Sequence, residues 1–537
     1  MSVESKIKEL YELHKSSGLY NDSFENVIFK FTNAYDYSFL ELYRNARMGK
    51  PAPKEEDVDG FDRLRQAYRA CIKFVNEDCR HGEFKQTLTL SDIRDFQKEM
   101  KETIQFNFIR NVVDRYNLKR FTATENEGVL TFKHIKSDRS IVYDEYQRNI
   151  ADTIPLSKHA KDNINVFDFN LKIIEIARNK PEFQSKKIFK PAKHILLELI
   201  YELVPYYLDG LDVEISTLKG KEYYLGEYLI VYCYLVAIGI YKTAYLVSLR
   251  FDNDQVYQPS IVYPKERLVE DIMDTTGMPE ETVRQVLSDL TYDYDFHKDR
   301  LTIYQPIFEV GDSILCSTNM LFHSYVIDKI MKYFDIKGTN KEDLTTYHRY
   351  RAEVMNHRMA DNLPLMYPNL KVYENCILRI DGKSKSEIDL VVFDDTTKTT
   401  ALIELKNYTP VDNEEDAINK EKRINEAIKA RLVRDKLVVD NIEAFLKQNN
   451  IPSKYVDYKY YSLLVTNTSV GGVGIKESIK VVDEALFYNL LSICQGSLLG
   501  TLDSIDSGEF FKILESVVKT DNMIHEYKGL KVEIIYK

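Results

Sequence analysis

The pattern of hydrophobic and polar positions changes along the chain and divides it into three regions. Residues 1–260 place apolar residues mostly at helical spacing, which predicts a mostly α-helical region. Residues 261–335 combine two short helical segments with alternating positions. Residues 336–537 alternate short apolar strands with longer helical segments, so an α/β domain is expected at the end of a multidomain chain.

The middle region has a helix, a Gly/Pro turn, a second helix and then alternating residues. Leu268–Thr275 and Glu280–Leu290 predict the helices, and residues 296–310 predict a hairpin. This order resembles a winged-helix module, in which the second helix reads DNA. That helix carries three acidic residues and one arginine, so a structural or dimerisation role is favoured over DNA reading.

The most specific pattern is a pair of apolar strands, 390–393 and 400–403, joined by a polar turn. If the turn is centred between Thr396 and Thr397, Asp389 lies opposite Glu404, and Lys406 points to the same face. Opposed carboxylates repel each other, and a divalent cation removes that repulsion. Oxygen ligands suit Mg²⁺ or Mn²⁺. The alternative interpretation is an exposed hairpin face with a cross-strand ion pair.

The opposite face of the same hairpin is predicted to be dry. It holds the side chains that would pack against a core, namely Ile388, Leu390, Ile403 and Leu405.

Glu387-Ile388-Asp389, followed by Glu404-Leu405-Lys406, resembles the core of the PD-(D/E)XK nuclease superfamily. The resemblance extends over residues 336–537, but only the hairpin is specific, and the Pro-Asp of the family name is replaced by Ile388-Asp389. It implies a restriction-endonuclease-like domain with a mixed sheet and an αβββαβ core. It also implies that Asp389, Glu404 and the Leu405 carbonyl are metal ligands and that Lys406 is the catalytic lysine.

The flanking sequence predicts elements in the order that this resemblance implies. They are a helix over 343–363, strands over 371–380, 390–393 and 400–403, a helical stretch over 414–447, and a strand over 460–465. Many family members have a further acid in the first helix. Glu353 is the candidate, with Glu374 in the first strand as a rival and a solvated helix glutamate as the alternative.

The helical stretch after the hairpin carries a basic stripe. At about 100° per residue, Lys420, Arg423, Arg431 and Arg434 fall within about 80° of one another, beside apolar Ile424, Ile428 and Leu432. A basic row next to a metal site predicts contacts with a phosphate backbone. An ordinary solvated face with ion pairs remains the alternative.

Composition adds three constraints to this picture. The net charge of −11 requires any nucleic-acid contact to be local rather than general. The six cysteines form no CxxC pair, which favours a reducing compartment and disfavours a zinc site. The longest uncharged apolar run, residues 228–241, is shorter than a membrane span, so a buried helix and a cytoplasmic protein without a membrane partner are expected.

These observations predict an Mg²⁺- or Mn²⁺-dependent phosphodiesterase that cleaves nucleic acid, with DNA as the expected substrate. The resemblance and the long N-terminal region suggest a restriction or antiviral endonuclease, in which residues 1–260 bind a partner protein or a second copy. The alternative is a nucleic-acid-binding or partner-sensing scaffold whose nuclease-like domain is silent.

Overall fold

The structure is a computed structural model. It describes residues 3–15, 18–47, 55–117, 119, 121–134, 193–208, 223–248, 256–293, 305–322, 341–408, 414–467, 474–476, 479–507, 523–527 and 530–535. The chain forms two compact units, one of residues 1–133, 152–343 and 523–535, and the other of 134–151, 344–522 and 536–537. The mixture of helices and sheets agrees with the predicted multidomain α/β class.

The described part of the first unit is largely helical, as the sequence predicts. Its helices are α1 (Val3–Lys15), α2 (Phe24–Arg47), α3 (Glu55–Asp78), α4 (Leu90–Asn117), α5 (Lys193–Leu208), α6 (Leu225–Ser248), α7 (Lys265–Thr276), α8 (Glu280–Leu290) and α9 (Thr318–Phe322). Its strands are β1 (Phe121–Asn126), β2 (Val129–His134), β3 (Ile261–Pro264), β4 (Ile307–Val310), β5 (Ser313–Cys316), β12 (Met523–Tyr527) and β13 (Leu530–Ile535).

One sheet of this unit joins distant parts of the chain. Its order is β1-β2-β13-β12, and β13 pairs in parallel with β2 from Lys531↔Val129 to Ile535↔Lys133. The sequence prediction placed every residue after 336 in the last domain, so it is wrong for 523–535. The two strands lie more than 390 residues apart in sequence. Their pairing cannot be predicted locally, because the residues of a strand do not indicate which other strand it pairs with.

The segment from β3 to β5 has the predicted helix–turn–helix, and a hairpin follows it at 307–316, of which only β4 falls in the predicted range 296–310. Gly277 ends α7 with a φ of +74°, a conformation that suits glycine. The hairpin that the structure describes joins β4 to β5, and the sheet order is β3-β5-β4. Residues 296–304 of the predicted hairpin lie outside the described residues.

The apolar run at 228–241 lies within α6, which confirms the predicted helix. Among the described residues, the stretch Leu225–Val247 is long and apolar enough to cross a membrane, but most of it is buried inside the protein. The helices Glu484–Ile493 and Leu498–Ser507 pass the same test only as one span, and they are bent by 112° at their junction.

The second unit is an α/β arrangement around one sheet. Its helices are α10 (Lys341–Met366, whose first turn falls in the first unit), α11 (Glu414–Asp440), α12 (Ile442–Gln448), α13 (Glu484–Ile493) and α14 (Leu498–Ser507). Its strands are β6 (Leu370–Ile380), β7 (Lys383–Asp394), β8 (Thr399–Lys406), β9 (Lys459–Thr466), β10 (Gly474–Lys476) and β11 (Ile479–Asp483). The sequence predicted most of these elements, but the single stretch 414–447 is two helices separated at Asn441.

The six strands have the order β10-β11-β9-β8-β7-β6, in which β6, β7 and β8 are antiparallel neighbours and β9 joins β8 in parallel. Helices cover both faces. Apolar side chains of α10, α13 and α14 form one core with the sheet, and those of α11 and α12 pack on the other face. A sheet buried on both faces accounts for the nearly continuous apolar runs of β7 and β8.

The predicted register between β7 and β8 is confirmed by the pairs from Asp394↔Thr399 to Leu390↔Ile403. The predicted dry face is not continuous, however. Leu390 packs in the core with α10, whereas Ile388 packs in the core with α12, on the other side of the sheet. Side chains two residues apart in a regular strand share a face, so the alternation is interrupted at Asp389.

The neighbouring strand is irregular at the same level. Glu374 pairs with Leu390 and Cys376 pairs with Ile388, so Asn375 lies opposite Asp389 between these pairs. Asn375 has a φ of +51°, in the left-handed region that asparagine tolerates better than most residues. Its Oδ1 accepts a hydrogen bond of 2.8 Å from Asn356 Nδ2 of α10. A strained residue and a buried amide therefore accompany the interruption at Asp389.

Substitutions at Asn375 should separate backbone strain from the side-chain bond. Asn375→Val places a β-branched residue at positive φ and should destabilise the second unit by about 1–3 kcal/mol. Asn375→Gly should be much milder, since glycine adopts this φ freely and only the bond to Asn356 is lost. Urea unfolding measures both. Lys371→Val, at an exposed position of the same strand, is the control, and equal losses for Lys371→Val and Asn375→Val would contradict the account.

Candidate functional site

Asp389 lies where β7 and β8 separate. The described ladder between these strands ends at Leu390↔Ile403, and the predicted pair Asp389–Glu404 is not part of it. Instead, the Asp389 side chain takes the place of a backbone acceptor, since its Oδ2 accepts a 2.7 Å hydrogen bond from the Leu405 N–H. Among the described residues, no other hydrogen bond to Asp389 is found.

The Leu405 carbonyl is directed to the same place. The N–H and C=O of one residue in an extended strand point to the same neighbouring strand. Because the Leu405 N–H points at Asp389, its carbonyl oxygen also faces the gap between β7 and β8. The separation of the strands thus leaves a carboxylate and a backbone carbonyl side by side, which agrees with the arrangement that the sequence resemblance implies.

Glu404 is buried on the face of the sheet that α11 covers, and basic side chains surround its carboxylate. Oε2 lies 2.8 Å from Arg431 Nη1. Oε1 lies 2.7 Å from Lys406 Nζ and 3.6 Å from Arg434 Nη2. Lys406 and Glu404 are therefore neighbours, as expected for residues two apart on one strand, and two arginines of α11 join them.

The pKa values of the two carboxyl groups are shifted in opposite directions. Burial, followed by the nearby charge of Glu404, raises the pKa of Asp389 to about 6. Burial would also raise the pKa of Glu404, but the charges of Lys406 and Arg431 outweigh it and lower the pKa below its usual range. Glu404 therefore ionises at lower pH than Asp389, whose ionised form is disfavoured by burial and by the charge of Glu404. Positive charge placed next to Asp389 would lower its pKa toward the usual value.

Arg431 is buried, so its predicted place on an exposed phosphate-binding stripe is wrong. Its side chain is 1% exposed, and its Nε lies 2.8 Å from Asp435 Oδ2. Ile424, Ile428 and Val438 are buried on the same helix, and with Arg431 and Asp435 between them the buried positions follow steps of four, three, four and three residues. Arg431 and Asp435 fall within this spacing, so the apolar stripe passes through both. That extension of the stripe was the available sequence signal.

The other three stripe residues divide between the interior and the surface. Lys420 is also buried, with its Nζ 5.3 Å from the centre of the Tyr408 ring, a cation–π distance. Arg423 is exposed and Arg434 is partly exposed at the edge of the site. The predicted stripe therefore straddles the boundary between the buried and exposed faces of α11.

Neither candidate for the further acid contacts Asp389 or Glu404 among the described interactions. Glu353 is exposed, and its Oε1 lies 4.0 Å from Arg349 Nε. Glu374 Oε2 lies 2.7 Å from His357 Nδ1 and is partly exposed. Glu374 precedes Asn375, which puts it nearer in sequence to the strand position opposite Asp389.

The donor set fits a hard divalent cation at this position. Asp389 Oδ1, Glu404 Oε1 and the Leu405 carbonyl are oxygen donors of the kind that Mg²⁺ and Mn²⁺ prefer. Within the described residues, no group of three or more His, Cys, Asp or Glu side chains could hold a metal ion, and a cation at Asp389 would have two carboxylates and one backbone oxygen as protein donors.

Removing Arg431 should leave two buried carboxyl groups without their shared partner. We expect Arg431→Met to lower the free energy of unfolding of the second unit by about 3–5 kcal/mol, because breaking a buried ion pair exposes its full desolvation cost. Arg423→Met, on the exposed side of the same helix, should change it by less than about 1 kcal/mol. Chemical denaturation compares the two. Similar losses for both variants would contradict the buried role of Arg431.

The raised pKa of Asp389 predicts a pH-dependent stability. Folding favours the protonated form, so its contribution is present below the unfolded pKa near 3.8 and is lost as pH rises to about 6. In metal-free protein, Asp389→Asn should therefore stabilise the fold at pH 8 by on the order of 1–3 kcal/mol and have little effect at pH 3.5. The Asn Oδ1 can still accept the Leu405 N–H. A stability difference that is independent of pH would rule out this explanation.

No known family model matches the chain, and neither curated proteins nor solved structures give a match.

Proposed function

We propose that the chain is a divalent-metal-dependent phosphodiesterase that cleaves nucleic acid, with DNA as the expected substrate. The observation that carries the proposal is the convergence of three groups. Asp389 Oδ2 accepts a 2.7 Å hydrogen bond from the Leu405 N–H, and Oε1 of Glu404, the residue before Leu405, lies 2.7 Å from Lys406 Nζ. Two carboxylates, a strand carbonyl and an ammonium group at one gap in a sheet are the components of a hydrolytic phosphate site.

The topology of the second unit supports the proposal. The order α10, β6, β7, β8, α11, β9 is the αβββαβ order of the PD-(D/E)XK core, and β8 and β9 are parallel neighbours. The acids lie on β7 and β8, the two strands on which the resemblance puts them. A restriction-endonuclease-like domain is thus the fold that we propose for this unit, and a winged-helix-like module is the one that we propose for β3 to β5.

Hydrolysis adds water to phosphorus, breaks one P–O ester bond and delivers a proton to the departing oxygen. Lys406 places a positive charge beside the phosphate, where it stabilises the negative charge that develops on the phosphate oxygens. Asp389 and Glu404 hold the divalent cation, which supplies Lewis-acid polarisation when bound. Arg431 fixes Glu404 through Oε2 and thereby keeps Oε1 directed at the site.

The expected nucleic-acid surface is small. Arg423 and Arg434 are the stripe residues that remain accessible, and the chain as a whole carries a charge of −11. In the β3-to-β5 module, Arg284 of α8 is neutralised by Glu266 and Glu280, at 2.5 and 2.8 Å. Paired in this way, Arg284 offers little to a phosphate backbone, which favours a structural or partner-binding role for the module.

The biological setting that we propose follows from the resemblance alone. It is a restriction or antiviral endonuclease of the cytoplasm, in which the N-terminal region binds a partner protein or a second copy of the chain.

A silent scaffold is the competing function, and one observation favours it. Both oxygens of Glu404 already have cationic partners from the protein, so a divalent cation must displace at least one of them. If it cannot, the domain binds nucleic acid without cutting it.

The test incubates the full chain with plasmid, linear duplex DNA, single-stranded DNA and RNA, with Mg²⁺, with Mn²⁺ and with neither. We expect cleavage only with metal, and Lys406→Ala should reduce its rate by about 10²–10³-fold, as for loss of one group that stabilises transition-state charge. Lys422→Ala, exposed on α11, is the matched control and should cut normally.

Metal binding is checked separately by thermal unfolding. Mn²⁺ should raise the melting temperature by mass action, and Asp389→Asn/Glu404→Gln should abolish that shift. Nucleic acid that is bound but uncut under every condition would favour the scaffold. Normal cleavage by a folded Lys406→Ala protein would overturn the assigned site.

A further inference from the structure

The three basic residues around Glu404 are not equivalent. Arg431 is 1% exposed and is shared between Glu404 and Asp435, so it is fixed within the core. Lys406 and Arg434 both approach Oε1 from the outer side, with side chains 37% and 33% exposed. The inner oxygen of Glu404, Oε2, is therefore held by a buried side chain, whereas the outer oxygen, Oε1, contacts two partly exposed side chains.

Arg434 is the more weakly held of these two. Its Nη2 lies 3.6 Å from Glu404 Oε1, an ion-pair distance but longer than a good hydrogen bond. Its Nε makes a 3.4 Å contact with the Ala430 carbonyl one turn earlier. Among the described residues, Glu404 is the only carboxylate within ion-pair distance of Arg434, whereas Arg431 has two. Loss of Oε1 would leave the Arg434 guanidinium without an anionic partner at the mouth of the site.

A divalent cation between Asp389 and Glu404 must use that oxygen. Oε2 is buried against Arg431, so Oε1 is the oxygen of Glu404 that a cation can reach. Binding there displaces Lys406 and Arg434 and gathers a divalent charge and two monovalent charges at one place. The carboxylates of Asp389 and Glu404 balance only two of these four positive charges, so an added anion stabilises the group, and phosphodiester oxygens are anions that a guanidinium binds well.

We propose that Arg434 is a substrate-phosphate-binding residue that Glu404 retains until a divalent cation takes Oε1. The inference rests on the proposed nuclease function and adds a residue and an order of binding to it. The metal releases the arginine, and the arginine then binds a phosphodiester oxygen of the nucleic acid. Metal and nucleic acid therefore strengthen each other's binding through Arg434, and this coupling must be reciprocal.

The first experiment needs no nucleic acid. Isothermal titration with Mn²⁺ compares wild type, Arg434→Gln and Arg423→Gln, a control on the exposed side of the same helix. Removing a competitor for Oε1 should tighten Mn²⁺ binding by Arg434→Gln by about fivefold or more, within the usual range of coupling. Arg423→Gln should match wild type. Equal or weaker Mn²⁺ binding by folded Arg434→Gln would overturn the proposal.

The second experiment measures the coupling on nucleic acid. Affinity for a labelled 20-base-pair DNA duplex is measured with and without Mg²⁺ at constant ionic strength, in a Lys406→Met background in which cutting is expected to be slow on the time scale of binding. We expect Mg²⁺ to tighten binding about fivefold or more. Arg434→Gln should abolish that gain and Arg434→Lys should keep part of it. Arg423→Gln should weaken binding equally with and without Mg²⁺. An Mg²⁺ gain that survives Arg434→Gln would also overturn the proposal.

The two experiments separate this inference from the proposed function. If wild type cuts no nucleic acid but Arg434→Gln binds Mn²⁺ more tightly, the competition at Glu404 stands and the nuclease assignment falls. If wild type cuts in a metal-dependent way but Arg434→Gln changes neither Mn²⁺ affinity nor the Mg²⁺ gain, only the role of Arg434 falls.

Discussion

The buried contact between Arg431 and Glu404 determines how the rest of the site is arranged. A carboxylate on a central strand beneath a helix would pay a large desolvation cost alone, and Arg431 offsets it at 2.8 Å. The same guanidinium engages Asp435 one turn along α11, so it ties the helix to β8. Because one oxygen of Glu404 is held from inside, the other is directed outward. The contact of Arg431 with Oε2 thus sets the direction in which Oε1 points.

The second constraint is the interruption of β7 at Asp389. A regular strand would satisfy the Leu405 N–H with a backbone carbonyl and leave no room beside the sheet. Here the Asp389 side chain accepts that N–H, and Asn375 on the neighbouring strand adopts a left-handed conformation at the same level. Strain of this kind persists where the surroundings enforce it, and the bond from Asn356 to Asn375 is one such support. The gap that exposes oxygen donors therefore involves three adjacent elements, α10, β6 and β7.

The sequence predicted the parts of this arrangement that depend on local spacing. The polar turn set the β7–β8 register correctly, and the two-residue period of β8 put Glu404 and Lys406 on one face. The sequence-based prediction failed where contacts with neighbouring elements determine the conformation or burial of a residue. The reversal between Ile388 and Leu390 comes with a conformation on β6, which alternation within β7 cannot reveal. The burial of Arg431 was visible in the helical spacing, but a charged residue on an apolar stripe reads as a surface residue unless its partner is known.

Glu404 is best understood as a carboxylate with two different partners on its two oxygens. The inner partner is permanent, because a fully buried arginine that left its two acids would be an unpaired charge in the core, which has a high desolvation cost. The outer partners are exchangeable, because partly exposed ion pairs contribute little to stability and can be replaced at small cost. In the proposed order of binding, a divalent cation would compete only with the outer pair. The two cationic side chains that hold Oε1 are then the ones proposed to bind a phosphate once they are displaced.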